Sequence, residues 1–434
     1  MFEATSRHDP GPAISFRYFK GFAEAELPLD QPVTLLLGRN GAGKSNVIEG
    51  VHLLSELGQG LPLQEVGEPG EGRRCEVRGG LRGCASLREE WFVLGARGRG
   101  FRYELVLRPK ALQIESESLR EGDALLFETV EKRSNFSRGL FPVRYRAPGT
   151  DQMAESTFPT SRTVLAGYPR FVGRPPAAEP ALFDRLERWR AQLTSCWVLA
   201  PRPEEMRRYE RVGLGITRSQ LKRNGSNLSV VLYEMEQGSE EDRKTLATIR
   251  ELVSRLPEEP LGRLDFLVNN EAADVMLAFA LGDDGPRLDA RLLSDGTLRY
   301  LAIVTALETL PEGALVLLED FDAGLHPSRV AELVRHLWRR CSERGLRALV
   351  TTHNPTVLDS LDPAQLAGVV VCYRDPVTRS AKLLPLLKIA DADLLLVRGS
   401  LGDLVTRGVL EQHLLPTFAT ERRQAALNWL KSLP

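Results

Sequence analysis

The sequence predicts an α/β fold with an antiparallel β lobe and a mostly helical insertion, and three observations carry that expectation. First, the apolar run Val33-Thr-Leu-Leu-Leu37 ends in a glycine-rich turn, and helical spacing of Val47, Ile48, Val51, Leu54 and Leu57 follows. A continuous run of this kind suits a strand buried on both faces. Second, the last third alternates short apolar strands, Ala314–Leu318 and Leu346–Thr351, with a helix whose Val330, Leu333, Val334, Leu337 and Trp338 share one face. A further strand spans Gly368–Tyr373. Third, residues 74–119 read as antiparallel β, with Trp91–Leu94 and Phe101–Leu107 flanking a turn at Gly95–Gly100.

The remaining elements follow in order. Ile14–Phe19 and Phe22–Leu27 alternate in the strand manner. Residues 131–180, rich in Pro, Gly, Ser and Arg and including Gly173-Arg-Pro-Pro-Ala-Ala-Glu-Pro180, read as a surface loop region with little regular structure. Helices are predicted over Leu182–Leu199 and Leu228–Leu256.

Length and composition bound the function. The 434 residues suit two or three domains, or one domain with a large insertion. Charges of 57 Lys+Arg against 58 Asp+Glu argue against a wholly basic binder, but a local basic patch survives such averaging. One such stretch runs from Arg162 to Arg223, with 13 Arg/Lys against 6 Asp/Glu and aromatics interleaved at Trp189 and Tyr209. It reads equally as a face for nucleic acid or an acidic partner and as a solvated helix surface. The five cysteines are scattered without a CxxC pair, which points to reduced structural thiols rather than zinc or disulfides. MFEATSRHDP has no apolar signal region, and no run approaches the ~20 apolar residues that span a bilayer. A cytoplasmic location without membrane contact is therefore expected.

Gly38-Arg39-Asn40-Gly41-Ala42-Gly43-Lys44-Ser45 matches GxxxxGK[ST] in full, with Asn46 following, and it joins a buried strand to a helix as that motif requires. Its glycines let backbone N–H groups wrap a β-phosphate, Lys44 bridges β- and γ-phosphates, and Ser45 ligates Mg²⁺. Leu315-Val-Leu-Leu-Glu319-Asp320 ends a strand in two carboxylates. Glu319 is expected to hold Mg²⁺ through water and Asp320 to orient the attacking water. His353 ends the next strand, where a side chain reaches a γ-phosphate. Leu293-Ser294-Asp295-Gly296-Thr297 opens another helix.

Taken together and in this order, these motifs resemble the ATP-binding-cassette-type ATPases of the RecF/SMC-like group. The narrower resemblance is to the stand-alone AAA-labelled branch related to the OLD family and the Septu defence ATPase. Gly38–Ser45 resembles Walker A, Leu293–Thr297 the LSGGQ-type signature, Leu315–Asp320 Walker B, Ala323–Pro327 the D-loop and His353 the switch histidine; Arg223-Asn-Gly-Ser-Asn227-Leu228 also resembles a stretch common in the group. The Glu-Asp order at 319–320 departs from the usual Asp-Glu or Glu-Glu, and the shorter Asp320 implies slow hydrolysis.

The resemblance implies a P-loop NTPase of ABC-ATPase head type, which sandwiches two ATP molecules between two subunits. Ser294, Asp295, Gly296 and Thr297 then face the partner subunit's nucleotide, and His353 senses the γ-phosphate. Gln59 and Gln64 are alternative Q-loop residues. The implied organisation is residues 1–130 as the first half of the head with the β lobe, 131–265 as a basic insertion, loop then helical, 266–390 as the second half, and 391–434 as a tail. Within the tail, Thr420–Leu430 suits a docking or oligomer helix, or packing on its own core. Asp391-Ala-Asp393 lacks the Glu-bearing strand of an OLD-type nuclease domain, so any effector, a nuclease in the defence setting, is expected on another polypeptide. The alternative is a RecF-like ATPase that binds DNA directly in repair or recombination.

Overall fold

The computed structural model describes residues 11–67, 75–130, 139–147, 152–171, 180–213, 219–255, 262–269, 271, 273–280, 285–389, 392, 395, 397 and 399–414. Strands β1 (Ala13–Phe19), β2 (Phe22–Pro28) and β3 (Val33–Leu37) lead into helix α1 (Lys44–Gly58). Strands β4 (Phe92–Gly98), β5 (Phe101–Arg108), β6 (Gln113–Glu121), β7 (Ala124–Thr129), β8 (Leu140–Arg146) and β9 (Met153–Pro159) precede helices α2 (Val164–Phe171) and α3 (Pro180–Thr194). Then come β10 (Cys196–Leu199), α4 (Pro203–Met206), β11 (Glu210–Arg211), α5 (Leu228–Gln237), α6 (Glu240–Ser254), β12 (Arg263–Asn269), β13 (Asp274–Ala280) and β14 (Arg287–Asp289). The chain continues through α7 (Asp295–Thr309), β15 (Leu315–Leu318), α8 (Pro327–Arg344), β16 (Arg347–Thr351), α9 (Pro355–Asp359), β17 (Val369–Arg374) and β18 (Ala381–Pro385) to α10 (Leu401–Thr406) and α11 (Val409–His413). It divides into two compact units, residues 1–196 with 368–388 and residues 197–367 with 389–434.

In the first unit, eight antiparallel strands form one sheet in the order β2-β1-β4-β5-β6-β7-β8-β9. Alternation along β5 puts Phe101, Tyr103, Leu105 and Leu107 into the core and Arg102 and Glu104 into solvent. The β4–β5 turn is shorter than the Gly95–Gly100 loop read from sequence. Arg99 (φ 53°) and Gly100 (φ 81°) make it alone, the pair of positive φ values that a two-residue hairpin needs. Gly95 belongs to β4, opposite Ser15 and Glu104, and must be glycine there because a Cβ would strike the Ser15 hydroxyl and approach Tyr103 O to 3.2 Å. Beside this lobe, β3 is buried along its whole length. It pairs in parallel with β17, Val369 opposite Leu35 and Val371 opposite Leu37, and β18 continues antiparallel on β17.

The irregular region expected over 131–180 is corrected by its described residues. β8 and β9 pair from Leu140↔Pro159 to Arg146↔Met153 and extend the sheet, and α2 follows. β9 has no fully buried residue, so the apolar alternation that identifies a strand is absent there. The start of α2 is fixed by buried Glu117, whose carboxylate accepts from Val164 N at 2.6 Å, Leu165 N at 2.8 Å and Tyr103 Oη at 2.9 Å. Burial pushes the Glu117 carboxyl up to about 7 against the opposing effect of those donors. The predicted helix over 182–199 stops at Thr194 and gives way to β10. Trp189 of α3 is 5% exposed against Phe101 and Tyr103, so it serves the core and not a stacking surface.

In the second unit, β15 and β16 pair in parallel, Leu315 opposite Arg347 and Leu318 opposite Val350. β13 is flanked by β11 and β12, with β14 also pairing to it. The single helix predicted over 228–256 is broken at Gly238, and Ser239 starts α6 with a reciprocal capping box to Asp242. Helices α7 and α8 are joined by buried Glu308, which accepts from Arg340 Nη2 at 2.6 Å and lies 3.2 Å from His336 Nε2. All five cysteines are buried and unbridged. Among the described residues, no helix is long and apolar enough to cross a membrane. Thr420–Leu430, Asp391 and Asp393 lie outside the described residues.

Candidate functional site: a glycine loop and a carboxylate–histidine edge

The first unit presents the loop Gly38–Gly43 between buried β3 and α1. Gly38 (φ 155°), Gly41 (φ 77°) and Gly43 (φ 121°) all adopt backbone conformations that favour glycine. Space is a second constraint: a Cβ on Gly38 would overlap Cys372 O of β17, and one on Gly43 would meet the Phe22 ring at 3.1 Å. Arg39, Asn40 and Gly41 are exposed at the crest, Ala42 is buried, and Ser45 and Asn46 are half-buried on the first turn of α1. The buried Lys44 donates from Nζ to Gly38 O at 2.6 Å and Arg39 O at 3.2 Å, which folds its ammonium over the loop.

These residues fit an anionic ligand. Helix α1 has 15 residues, begins after a glycine that brings no capping side chain, and carries no acid in its first turn. Its leading N–H groups and dipole thus favour a negatively charged group ahead of the helix. Sequence reasoning missed Arg374, whose Nε donates to Gly41 O at 3.0 Å and ties the crest of the loop to the end of β17. Its only sequence signal was its place at the end of the Gly368–Tyr373 strand. Gln59 is removed as a Q-loop residue at this loop. It caps the far end of α1, about 22 Å from Lys44 at ~1.5 Å per residue, and its Nε2 donates to Thr194 O at 2.8 Å.

The second unit presents Glu319, Asp320 and His353 together. The β15–β16 register carries Asp320 alongside Thr351, whose Oγ1 accepts from Asp320 N at 2.8 Å and lies 3.4 Å from Asp320 Oδ1. Asp320 sits at φ 44°, a left-handed conformation uncommon for a non-glycine residue and held here by that bond. His353 Nε2 is 3.7 Å from Asp320 Oδ1, with both side chains about half-exposed. Glu319 is exposed at the same strand end. Behind them, buried Asp322 is bonded by the side chains of Thr352 and Asn354, and burial raises its pKa against those bonds. Asn354 also caps α9, accepting from Thr356 N at 3.0 Å. His353 therefore projects from a turn pinned on both sides, and Thr351 and Asp322 are the positioning residues that sequence did not reveal.

Ser294 caps α7: its Oγ accepts from Thr297 N at 3.1 Å and lies 2.8 Å from Thr297 Oγ1. Thr297 Oγ1 also accepts from buried Arg329 Nη1 at 2.8 Å. Ser294 and Asp295 are exposed, while Gly296 and Thr297 are buried. Gly296 faces Gly324, so closely that a Cβ would lie 2.5 Å from Gly324 O. The signature-like turn and the Ala323–Pro327 stretch are therefore one packed structure.

Several basic residues of the Arg162–Arg223 stretch are paired with acids within the protein. Arg185 pairs with Glu121 at 2.7 Å, Arg190 with Glu187 at 2.7 Å, Arg202 with Glu205 at 3.2 Å and Lys222 with Glu210 at 2.5 Å.

Residues 218–359 match a family model described as "AAA domain, putative AbiEii toxin, Type IV TA system". Among solved structures, the chain is similar to an SMC head bound to the C-terminal winged-helix domain of ScpA, with 11% identity, 86% of this chain and 98% of that chain covered, and a TM-score of 0.44. It is also similar to an SMC head domain from Thermotoga maritima (13% identity, 86% and 97% covered, TM-score 0.35). A third is a Pyrococcus furiosus Smc head with an extended coiled coil bound to the C-terminal domain of ScpA (12% identity, 89% and 100% covered, TM-score 0.39). By strand–loop–helix geometry and motif order the chain is an α/β P-loop protein resembling the ABC/SMC-like ATPases, and over residues 218–359 it matches an AAA-domain family.

Proposed function

We propose that the chain binds ATP with Mg²⁺ at Gly38–Ser45, hydrolyses it slowly with Glu319, Asp320 and His353, and dimerises on ATP as a switch for a separate effector. The glycine loop carries the reading: its glycine dihedrals, the Lys44 ammonium folded over it and the acid-free start of α1 together suit a phosphate. Lys44 neutralises the β- and γ-phosphates, and Ser45 and Glu319 offer the hard oxygen donors that Mg²⁺ prefers. When bound, Mg²⁺ supplies charge neutralisation at the phosphates. Asp320 takes a proton from the attacking water, His353, 3.7 Å away, steadies that carboxylate, and the resemblance gives it the γ-phosphate sensor role. Ser294 and the Gly296 backbone meet the nucleotide of the partner subunit.

The effector setting rests on the two-component character in the name of the matched family, a toxin of a toxin–antitoxin system. A nuclease acting against phage, encoded separately, is the partner of this kind that the OLD- and Septu-type resemblance favours. Direct DNA binding through the basic stretch has weaker support, since Arg185, Arg190 and Arg202 are paired with acids and Trp189 is buried. Turnover of Mg²⁺-ATP by the purified chain tests the proposal. It is expected to be slow, lost in Lys44→Ala and insensitive to added DNA. A chain that does not bind ATP would refute the reading, and a several-fold, salt-sensitive stimulation by DNA would replace the switch with the repair-type alternative.

A further inference from the structure

One feature of the signature-like turn departs from its pattern: Asp295 stands where LSGGQ has glycine. A carboxylate in the first turn of α7 competes with any incoming phosphate for the helix N-terminus, which otherwise attracts anions. The structure also holds a counterpart to it. Arg207 Nη2 donates to Leu293 O at 2.9 Å and to Asp295 Oδ1 at 2.5 Å, so one guanidinium brackets Ser294 on both sides.

Arg207 is itself held in place. It ends the short helix α4, whose Pro203 and Met206 are buried. The Arg223–Asn227 stretch braces α4 from the other side: Ala200 N donates to Arg223 O at 2.8 Å and Arg202 N to Asn224 O at 2.9 Å, and the Asn224 amide bonds Glu205. Gly225 (φ 73°) lies against Met206, where a Cβ would meet its Sδ at 3.1 Å. Asn227 closes the brace, accepting from Lys222 N and donating to Gln220 O, both at 2.8 Å.

We propose that Arg207 is a positioning residue for the signature-like turn, held by the Arg223–Asn227 brace, and that it draws the Asp295 carboxylate aside so that the turn accepts the triphosphate bound to a second copy of the chain. The inference rests on the ATP-dependent dimer proposed above. Without Arg207, the carboxylate repels the partner's γ-phosphate, while the chain's own P-loop, in the other unit, is untouched.

The test compares wild type, Arg207→Ala, Arg207→Lys, Asp295→Gly and the double variant Arg207→Ala/Asp295→Gly, after thermal melts show each to be folded. ATP turnover and nucleotide affinity are measured separately. Arg207→Ala should lower kcat about ten-fold with ATP affinity within two-fold of wild type. Arg207→Lys should recover part of the loss, and the double variant most of it, because the charge to be neutralised is gone. A structural role for Arg207 would not be rescued by Asp295→Gly, so a double variant no better than Arg207→Ala overturns the inference, as does a fully active Arg207→Ala. If Arg207→Ala does not fold, Arg207→Lys decides: turnover below wild type, restored by adding Asp295→Gly, supports the inference, and unrestored turnover overturns it. Wild type that binds ATP but never associates refutes the dimer reading itself, an outcome distinct from these.

Discussion

Gly296→Ala is a perturbation whose sign separates two accounts of the signature-like turn. In an open helix position, Gly to Ala stabilises by up to about 1 kcal/mol, because alanine is the better helix former. In this structure the new Cβ would lie 2.5 Å from Gly324 O and 3.5 Å from Leu325 Cδ2. Ordinary C···O contact begins at roughly 3.4 Å, so the backbones of α7 and the Gly324 turn must separate by about 0.9 Å, and no rotamer change relieves it. Overpacking of this kind costs about 1–3 kcal/mol, which exceeds the gain in propensity. For a unit of this size a net loss of up to about 2 kcal/mol lowers Tm by up to roughly 8 °C, at about 2–4 °C per kcal/mol. Differential scanning calorimetry of wild type and Gly296→Ala reads the shift directly, and ATP turnover should fall with it because Ser294 moves with the helix. A Tm raised by the substitution would refute the close packing of Gly296 on Gly324.

Other consequences are equally specific. Lys44→Ala removes the buried ammonium that donates to Gly38 O and Arg39 O; fluorescent-nucleotide titration should show at least a hundred-fold loss of ATP affinity, about 3 kcal/mol. Thr351→Val removes the hydroxyl that accepts from Asp320 N; kcat should fall about ten-fold with KM little changed if that bond sets the Asp320 carboxylate for its task. Glu117 gives a pH dependence. Its folded pKa of about 7 lies above the unfolded 4.5, so the stability it contributes is fully present below 4.5 and is lost as pH rises through 7. Glu117→Gln removes that titration, so denaturant melts should show the variant gaining on wild type between pH 5 and pH 8, and a constant difference would contradict the buried carboxyl.

The glycine loop was legible because its information is local: eight consecutive residues, a preceding apolar run and a following helical face specify strand, loop and helix without distant contacts. Glu319, Asp320 and His353 were legible for the same reason, each ending an apolar strand, and the parallel β15–β16 register then brings two of them within 3.7 Å. What supports them was not legible. Thr351 binds a residue 31 positions earlier, and Arg207 reaches carbonyl and carboxylate partners 86 and 88 positions away. No periodicity encodes such pairings. β9 was hidden by composition, since an edge strand with no buried face needs no apolar alternation and tolerates Pro159 at its end. The basic stretch misled in the opposite direction. A count of arginines cannot show that Glu121, Glu187 and Glu205 answer three of them, nor that Trp189 packs on Phe101.

The most direct test of the switch is the solution mass of Asp320→Ala, the variant expected to hold ATP without turning it over. With Mg²⁺-ATP its mass by light scattering should double from the single-chain 48.3 kDa, and it should return to one chain with ADP or when Lys44→Ala is added. The same mass with Mg²⁺-ATP, with ADP and with Lys44→Ala added would contradict the account.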